Sequence, residues 1–328
     1  MGTESPQGRA DGPWVQPGVG AALAVAALAA LPLLLTPYTS DLVTKIMVLA
    51  IFALSLELLV GMTGLVSLGH AAFFGLGAYT AVLASPEADP ANLLLLMLAC
   101  VAVAAAYAMF VGALSLRTKG VYFIMVTLAF AQMAYFVFHD TKFAGGTDGI
   151  YLNVRPVLGA FDAGNKRHFY YLVLAALVAT YGGLVLLRRS RFGHALAGIR
   201  VNEQRMRAAG FATYGYKLAA FVVAGALAGL AGFLLAVKDG YVNPELLSWH
   251  ESGAVLLMII LGGVGHLRGA VIGAVAFVLL KELYSTQAFV GAFLADHWQL
   301  TLGFTIIAFV ALLPKGLIGL GQRWRARR

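Results

Sequence analysis

Apolar residues in this chain come in long runs separated by short polar or glycine-rich breaks, and run length sets the elements. A helix needs about 20 mostly apolar residues to cross the hydrocarbon of a bilayer. On that ruler the sequence predicts segments at 19–35, 42–60, 69–84, 93–114, 121–138, 169–187, 218–237, 253–264, 269–284 and 299–314. The runs are too long, and alternate too little, for membrane strands. Segments 69–84, 253–264 and 269–284 are short and abut glycine-rich joints. That is the pattern of broken or re-entrant helices, tolerated at membrane depth only where protein or a cavity covers the backbone. The expectation is an all-α, polytopic integral membrane protein of about ten transmembrane helices.

The run 19–35 follows a polar leader, 1–18, whose only cationic side chain is Arg9. Thr36-Pro37-Tyr38-Thr39-Ser40-Asp41 offers no small-x-small cleavage site, so the run reads as a retained helix rather than a secretory signal.

Composition agrees with a membrane domain. The 328 residues are 60% hydrophobic and 12% charged, about half the charge of a soluble domain. The single cysteine, Cys100, excludes a disulfide framework and a cysteine-based metal site. The net charge of +8 is unevenly placed. Ten crossings put both ends on one side. That side (1–18, 61–68, 115–120, 188–217, 265–268 and 315–328) holds 16 of the 23 Lys and Arg residues. The opposite loops, 36–41, 85–92, 139–168, 238–252 and 285–298, hold five, and Lys45 and Lys281 lie within spans. The positive-inside rule makes the first set cytoplasmic, including the leader and the basic tail 317–328. No basic stretch interleaves with exposed aromatics, so the charge does not point to nucleic acid.

The longest cytoplasmic connection is 188–217. Leu196, Ile199, Glu203 and Met206 follow helical three-to-four spacing, Arg200, Arg205 and Arg207 point elsewhere, and Gly210 suits a left-handed cap. One or two short interfacial helices are expected. They serve either as a basic loop that touches lipid headgroups or as a docking element for a cytoplasmic partner.

Two stretches are dense in small residues: 60–79, with Gly61, Gly64, Ser67, Gly69 and His70, and 262–269, with Gly262, Gly263 and Gly265. Small-xxx-small pairs recur at Gly225/Gly229, Ala228/Gly232 and Gly269/Gly273. Close helix packing explains such spacing, and unwound segments flanking a solute path explain it as well. Ionisable residues within spans are few: Lys45, Glu57, Lys281 and Glu282, with no relay of acids.

Catalytic patterns are missing from the sequence. The seven histidines are scattered without His-Glu-x-x-His, Gly-x-Ser-x-Gly is absent, and no Gly-Lys dipeptide exists to build a phosphate-binding loop. No catalytic residue, metal or cofactor is assigned, and any ATP-driven work falls to another polypeptide.

Four blocks then carry a resemblance. They are Gly64 to Tyr79; Leu116 to Phe123 with Val126 to Phe130 and Gly145 to Ile150; Gly193 to Gly232; and Gly240 to Pro244 with Ser248, Trp249 and Ser252, followed by Ile260 to Gly265 and Pro314 to Leu317. In this order, over about 42–320, the chain resembles the permease subunits of branched-chain amino acid ABC transporters, the LivM-type half. The resemblance implies an importer of five polypeptides: this permease, a LivH-type permease, two cytoplasmic ATPases and a periplasmic binding protein, set in a bacterial-type inner membrane. It also implies that Leu196, Ile199, Arg200, Glu203, Met206, Ala209 and Gly210 belong to a segment seated in a groove of the ATPase. In that seat Arg200 and Glu203 make charged contacts, and Leu196, Ile199 and Met206 supply apolar anchoring. Two positions depart from the family's pattern: Glu57, where members often carry Asn, and His266 with Arg268 after Gly-Gly-x-Gly. The competing readings are a gradient-driven carrier or channel, a membrane-embedded enzyme and a scaffold.

Overall fold

The computed structural model describes residues 19–34, 36–86, 88–159, 161–285, 298–313 and 316–319. The leader 1–18 and all but three residues of the tail 317–328 lie outside the described residues. Each of the ten expected apolar segments coincides with a helix. These are α1 (Val19–Leu34), α2 (Pro37–Glu57), α3 (His70–Leu83), α4 (Leu93–Ser115), α5 (Val121–Asp140), α6 (Lys166–Arg189), α9 (Thr213–Asp239), α10 (Trp249–Gly262), α11 (Leu267–Ser285) and α12 (Trp298–Leu312). The long basic connection supplies two short helices, α7 (Arg191–Val201) and α8 (Glu203–Ala208).

Not all of these are full crossings. Among the described residues five helices are long and apolar enough, α2 with its following turn, α4, α5, α6 and α9, or six if the bent pair α10–α11 is one span. The expected ten therefore exceeds what length and apolarity support. At ~1.5 Å per residue the 14-residue α3 and α10 are about 21 Å long, short of the ~30 Å hydrocarbon.

The first shortfall has a structural answer. After α2 the chain makes a wider π turn, Leu58–Thr63, turns at Gly64 (φ 75°), and runs without helix to Gly69 before α3 begins. This segment enters the bundle, because a Cβ on Gly69 would overlap the carbonyl of Thr127, in the second turn of α5. Its buried polar groups find side chains: Ser67 Oγ accepts from Gly69 N at 3.2 Å, and Ser252 Oγ accepts from Ala71 N at 2.9 Å. Irregular backbone survives here because protein covers it.

The core lies on α2 and α9. Of their most apolar windows 89% and 72% is buried, against 22% for α5. The most extensive contact is between α3 and α9. A methyl on Gly77 would overlap the backbone of Gly229, and one on Gly232 would overlap the carbonyl of Phe74. Gly77 and Gly232 therefore mark where the backbones of α3 and α9 are in van der Waals contact.

Short ladders and side-chain bonds tie the loops at one end. Strand β1 (Ile150–Tyr151) pairs antiparallel with β4 (Tyr241–Val242), and Tyr241 Oη donates to Asp148 O at 2.7 Å. Strands β2 (Val157–Leu158) and β3 (Phe161–Asp162) form a second pair, and Val157 N donates to Ala91 O at 2.9 Å. Lys238 Nζ bonds Asp41 Oδ2 at 3.0 Å. Loops 36–41, 85–92, 139–168 and 238–252, which charge assigns to one side, thus meet at one end of the bundle.

Candidate functional site

The connection 188–217 folds as a helical elbow. Ser190 ends α6 and caps α7, its Oγ accepting from Gly193 N at 3.2 Å; Asn202 caps α8 through Arg205 N at 2.9 Å. Gly210 (φ 87°) closes the elbow in the left-handed region that glycine adopts without strain. Met206 packs on Gly198, where an added Cβ would sit 2.8 Å from its Sδ. Leu196 and Ile199 are buried against the chain's own bundle, while Val201 is 84% exposed and Phe211 and Ala209 lie on the surface. Leu196 and Ile199, to which the resemblance gives apolar anchoring on an ATPase, are thus buried within this chain. Helical spacing identifies the apolar face of α7 without saying which surface it meets.

Glu203 braces the elbow against α9. Its Oε1 accepts from Lys217 Nζ at 3.0 Å, Arg207 Nη2 at 2.5 Å and Thr213 Oγ1 at 3.2 Å. Desolvation alone would raise its pKa, but hydrogen bonds from Lys217 and Arg207 outweigh it and hold the carboxyl down at about 2.

The elbow also touches both glycine joints. The guanidinium of Arg200 donates to the carbonyl oxygen of Gly61 inside the π turn, and its aliphatic stem packs at Gly64. Glu57 Oε1 accepts from Gly265 N at 2.6 Å. Gly61 and Gly265 approach so closely that a Cβ on Gly61 would lie 3.3 Å from Gly265 Cα and overlap the Glu57 carboxylate. Gly263 (φ 116°) and Gly265 (φ 89°) make the turn at which α10 and α11 bend by 114°. Gly262 is packed against Gly269, where a Cβ on it would overlap the carbonyl oxygen. The two joints that the sequence singled out thus meet, with Arg200 on one side and Glu57 between them.

Ser67, Gly69 and His70 lie deeper, at the start of α3. The His70 ring is fully buried, stacks on Phe52 at 5.7 Å, and places Nε2 2.8 Å from Ser55 Oγ. Ser55 Oγ also lies 2.7 Å from Phe52 O, and His70 Nδ1 has no hydrogen-bond partner among the described residues. The clasp by Glu57 and the buried hydrogen bonds made by Ser55 and Ser252 escaped the sequence reading because they depend on partners elsewhere in the chain. Among the described residues no three His, Cys, Asp or Glu side chains are grouped to hold a metal ion.

Comparison with known proteins places this geometry. The family model described as "Branched-chain amino acid transport system / permease component" matches residues 38–311. The chain is 29% identical over 311 residues, 88% of its length and 71% of the relative's, to the high-affinity branched-chain amino acid transport system permease protein LivM of Escherichia coli (strain K12). It is 22% identical over 286 residues, 82% of its length and 91% of the relative's, to LivH of Salmonella typhimurium. A shorter similarity, 31% over 107 residues, covers 31% of the chain and 27% of the xylose transport system permease protein XylH of Escherichia coli (strain K12). No solved structure matches the chain. With most of its length inside the matched model, this chain belongs to the family of branched-chain amino acid transport system permease components.

Proposed function

We propose that this chain is the membrane-spanning permease subunit of an ATP-driven importer for branched-chain amino acids, forming half of the translocation path. The observation that carries the reading is the hydrogen bond from Arg200, on a basic elbow outside the long apolar helices, to Gly61 in the π turn of the most buried one. A push on the elbow has a direct route to the joints where helices are discontinuous.

Residues 19–316 are the membrane domain, with 188–217 as its coupling loop. The ten helices make ten full or broken crossings, the termini are cytoplasmic, and the membrane is a bacterial-type inner membrane. A LivH-type permease, two cytoplasmic ATPases and a periplasmic binding protein complete the assembly. ATP binding closes the ATPase pair and displaces α7–α8 as a unit braced by Glu203. Arg200 and Glu57 carry the displacement to 61–69 and 262–265, and α3 and the α10–α11 bend open the path outward. A loaded binding protein on loops 139–168 and 238–252 then releases its amino acid, and hydrolysis resets the gate. This chain changes no covalent bond of the solute; hydrolysis is the ATPases' work. Val201 and Phe211, exposed on the elbow, are the apolar anchors available to the ATPase groove.

A gentle-detergent pull-down of the chain from its native membrane, with partner stoichiometry by mass spectrometry, tests this. One homologous permease and two ATPase copies are expected. Recovery of the chain alone, moving leucine in liposomes without ATP, would replace the reading with a gradient-driven carrier.

A further inference from the structure

At the bundle end opposite the elbow, four helix ends surround a cavity of about 220 Å³: the last residues of α1 and α9 and the first of α2 and α6. Its wall carries Arg155, Lys166, Arg167 and Lys238 against one acid, Asp41. That acid is already engaged by Lys238, whose side chain is only 8% exposed and which also bonds Asp239 Oδ1 at 2.9 Å. Among the described residues Arg155, Lys166 and Arg167 make no ion pair. Arg155, Lys166 and Arg167 therefore face one cavity whose single acid is already paired, and an anion seated there is attracted by all three.

The rest of the lining says what kind of anion. The floor is apolar, formed by Pro32, Phe169 and Val237. Beside it α1 is held against α6 by Tyr170 Oη donating to Leu28 O at 2.6 Å and Tyr171 Oη donating to Ala29 O at 3.2 Å. Helices α6 and α9 are long enough to span, so their ends lie at headgroup level. The cavity is below the ~300–1,000 Å³ of sites that enclose a drug-sized ligand; it fits a headgroup whose tail runs outside. We propose that this cavity holds the phosphodiester headgroup of an anionic phospholipid, its acyl chains lying along α1 and α6.

The test is native mass spectrometry of the full chain, purified in mild detergent and offered phosphatidylglycerol and phosphatidylcholine of equal chain length. The wild type should retain phosphatidylglycerol preferentially. Each basic side chain beside an anionic headgroup is worth roughly fivefold in affinity, so Lys166→Gln with Arg167→Gln should cut the preference about 30-fold. Asp41→Asn removes the competing carboxylate and should raise the preference, a change of opposite sign that misfolding does not mimic. Equal retention of both lipids by the wild type, or of phosphatidylglycerol by wild type and double variant, would overturn the site. Displacement of the lipid by excess inorganic phosphate at matched ionic strength would reassign it to free phosphate. Unchanged lipid preference with weakened capture of the solute-binding partner would make the cup a docking surface for an acidic protein loop.

Discussion

Glu57 in α2 accepts a 2.6 Å hydrogen bond from the backbone N–H of Gly265, 208 positions further along the chain. The bond joins the π turn after α2 to the turn between α10 and α11. A buried N–H left without its acceptor costs about 1–3 kcal/mol. Glu57→Leu should therefore lower the thermal midpoint of the detergent-solubilised protein, and Glu57→Gln, which keeps an acceptor oxygen, should retain most of it. Equal midpoints for both variants and wild type would show that the clasp bears no load.

Arg200 is the link between elbow and joint, so its loss should uncouple rather than unfold. Arg200→Ala should insert and copurify with its partners normally. In proteoliposomes holding the whole transporter, the ATP consumed per leucine imported should rise at least about tenfold, the factor that ~1.5 kcal/mol represents for a charge-assisted bond. Arg200→Lys should recover only part of it, lacking the guanidinium's fixed fork. Unchanged stoichiometry in the alanine variant would remove Arg200 from the coupling route.

Helix contact in the core is a matter of single methyl groups. Gly232→Ala sets a Cβ onto the Phe74 carbonyl, whereas Gly183→Ala meets nothing within 4 Å. Overpacking against backbone costs about 1–3 kcal/mol or more. Gly232→Ala should lower the temperature of half-loss in heated size-exclusion runs, and Gly183→Ala should leave it in place or raise it slightly.

The brace at Glu203 has a defined acid limit. Its carboxyl falls from 4.5 to about 2 in the folded chain, so its contribution is complete above the unfolded value and is lost as pH falls from 4.5 towards 2. Hydrogen exchange in peptides spanning 203–213 should stay slow from pH 7 to 4.5, after correction for intrinsic rates, and quicken below. Glu203→Gln should exchange faster throughout, with no break in that window; a wild-type break near neutral pH would contradict the assignment.

Cys100, the chain's single cysteine, is fully buried where α4 meets α9. A maleimide should leave it unlabelled in native membranes and label it to completion only after denaturation, giving a direct readout of unfolding for the variants above.

Run length and glycine spacing were enough to place helices at the apolar segments and to mark both joints, but not to count the crossings, since five or six of the described helices are long and apolar enough to span. Bilayer thickness and backbone approach act locally, so both leave a trace in consecutive residues. The basic 188–217 connection and its helical spacing were legible for the same reason. Tertiary structure alone decided that Gly64 to Gly69 enters the bundle without helix, because that requires Ser252 and the groove at Thr127. It decided that Leu196 and Ile199 face inward and Val201 outward, since periodicity gives an apolar face and not its partner. It also decided that Glu57, without a counter-ion in its own sequence neighbourhood, closes on a glycine of the second joint. A buried polar group is satisfied by whatever the fold brings to it, and that juxtaposition is written in no single stretch of the chain.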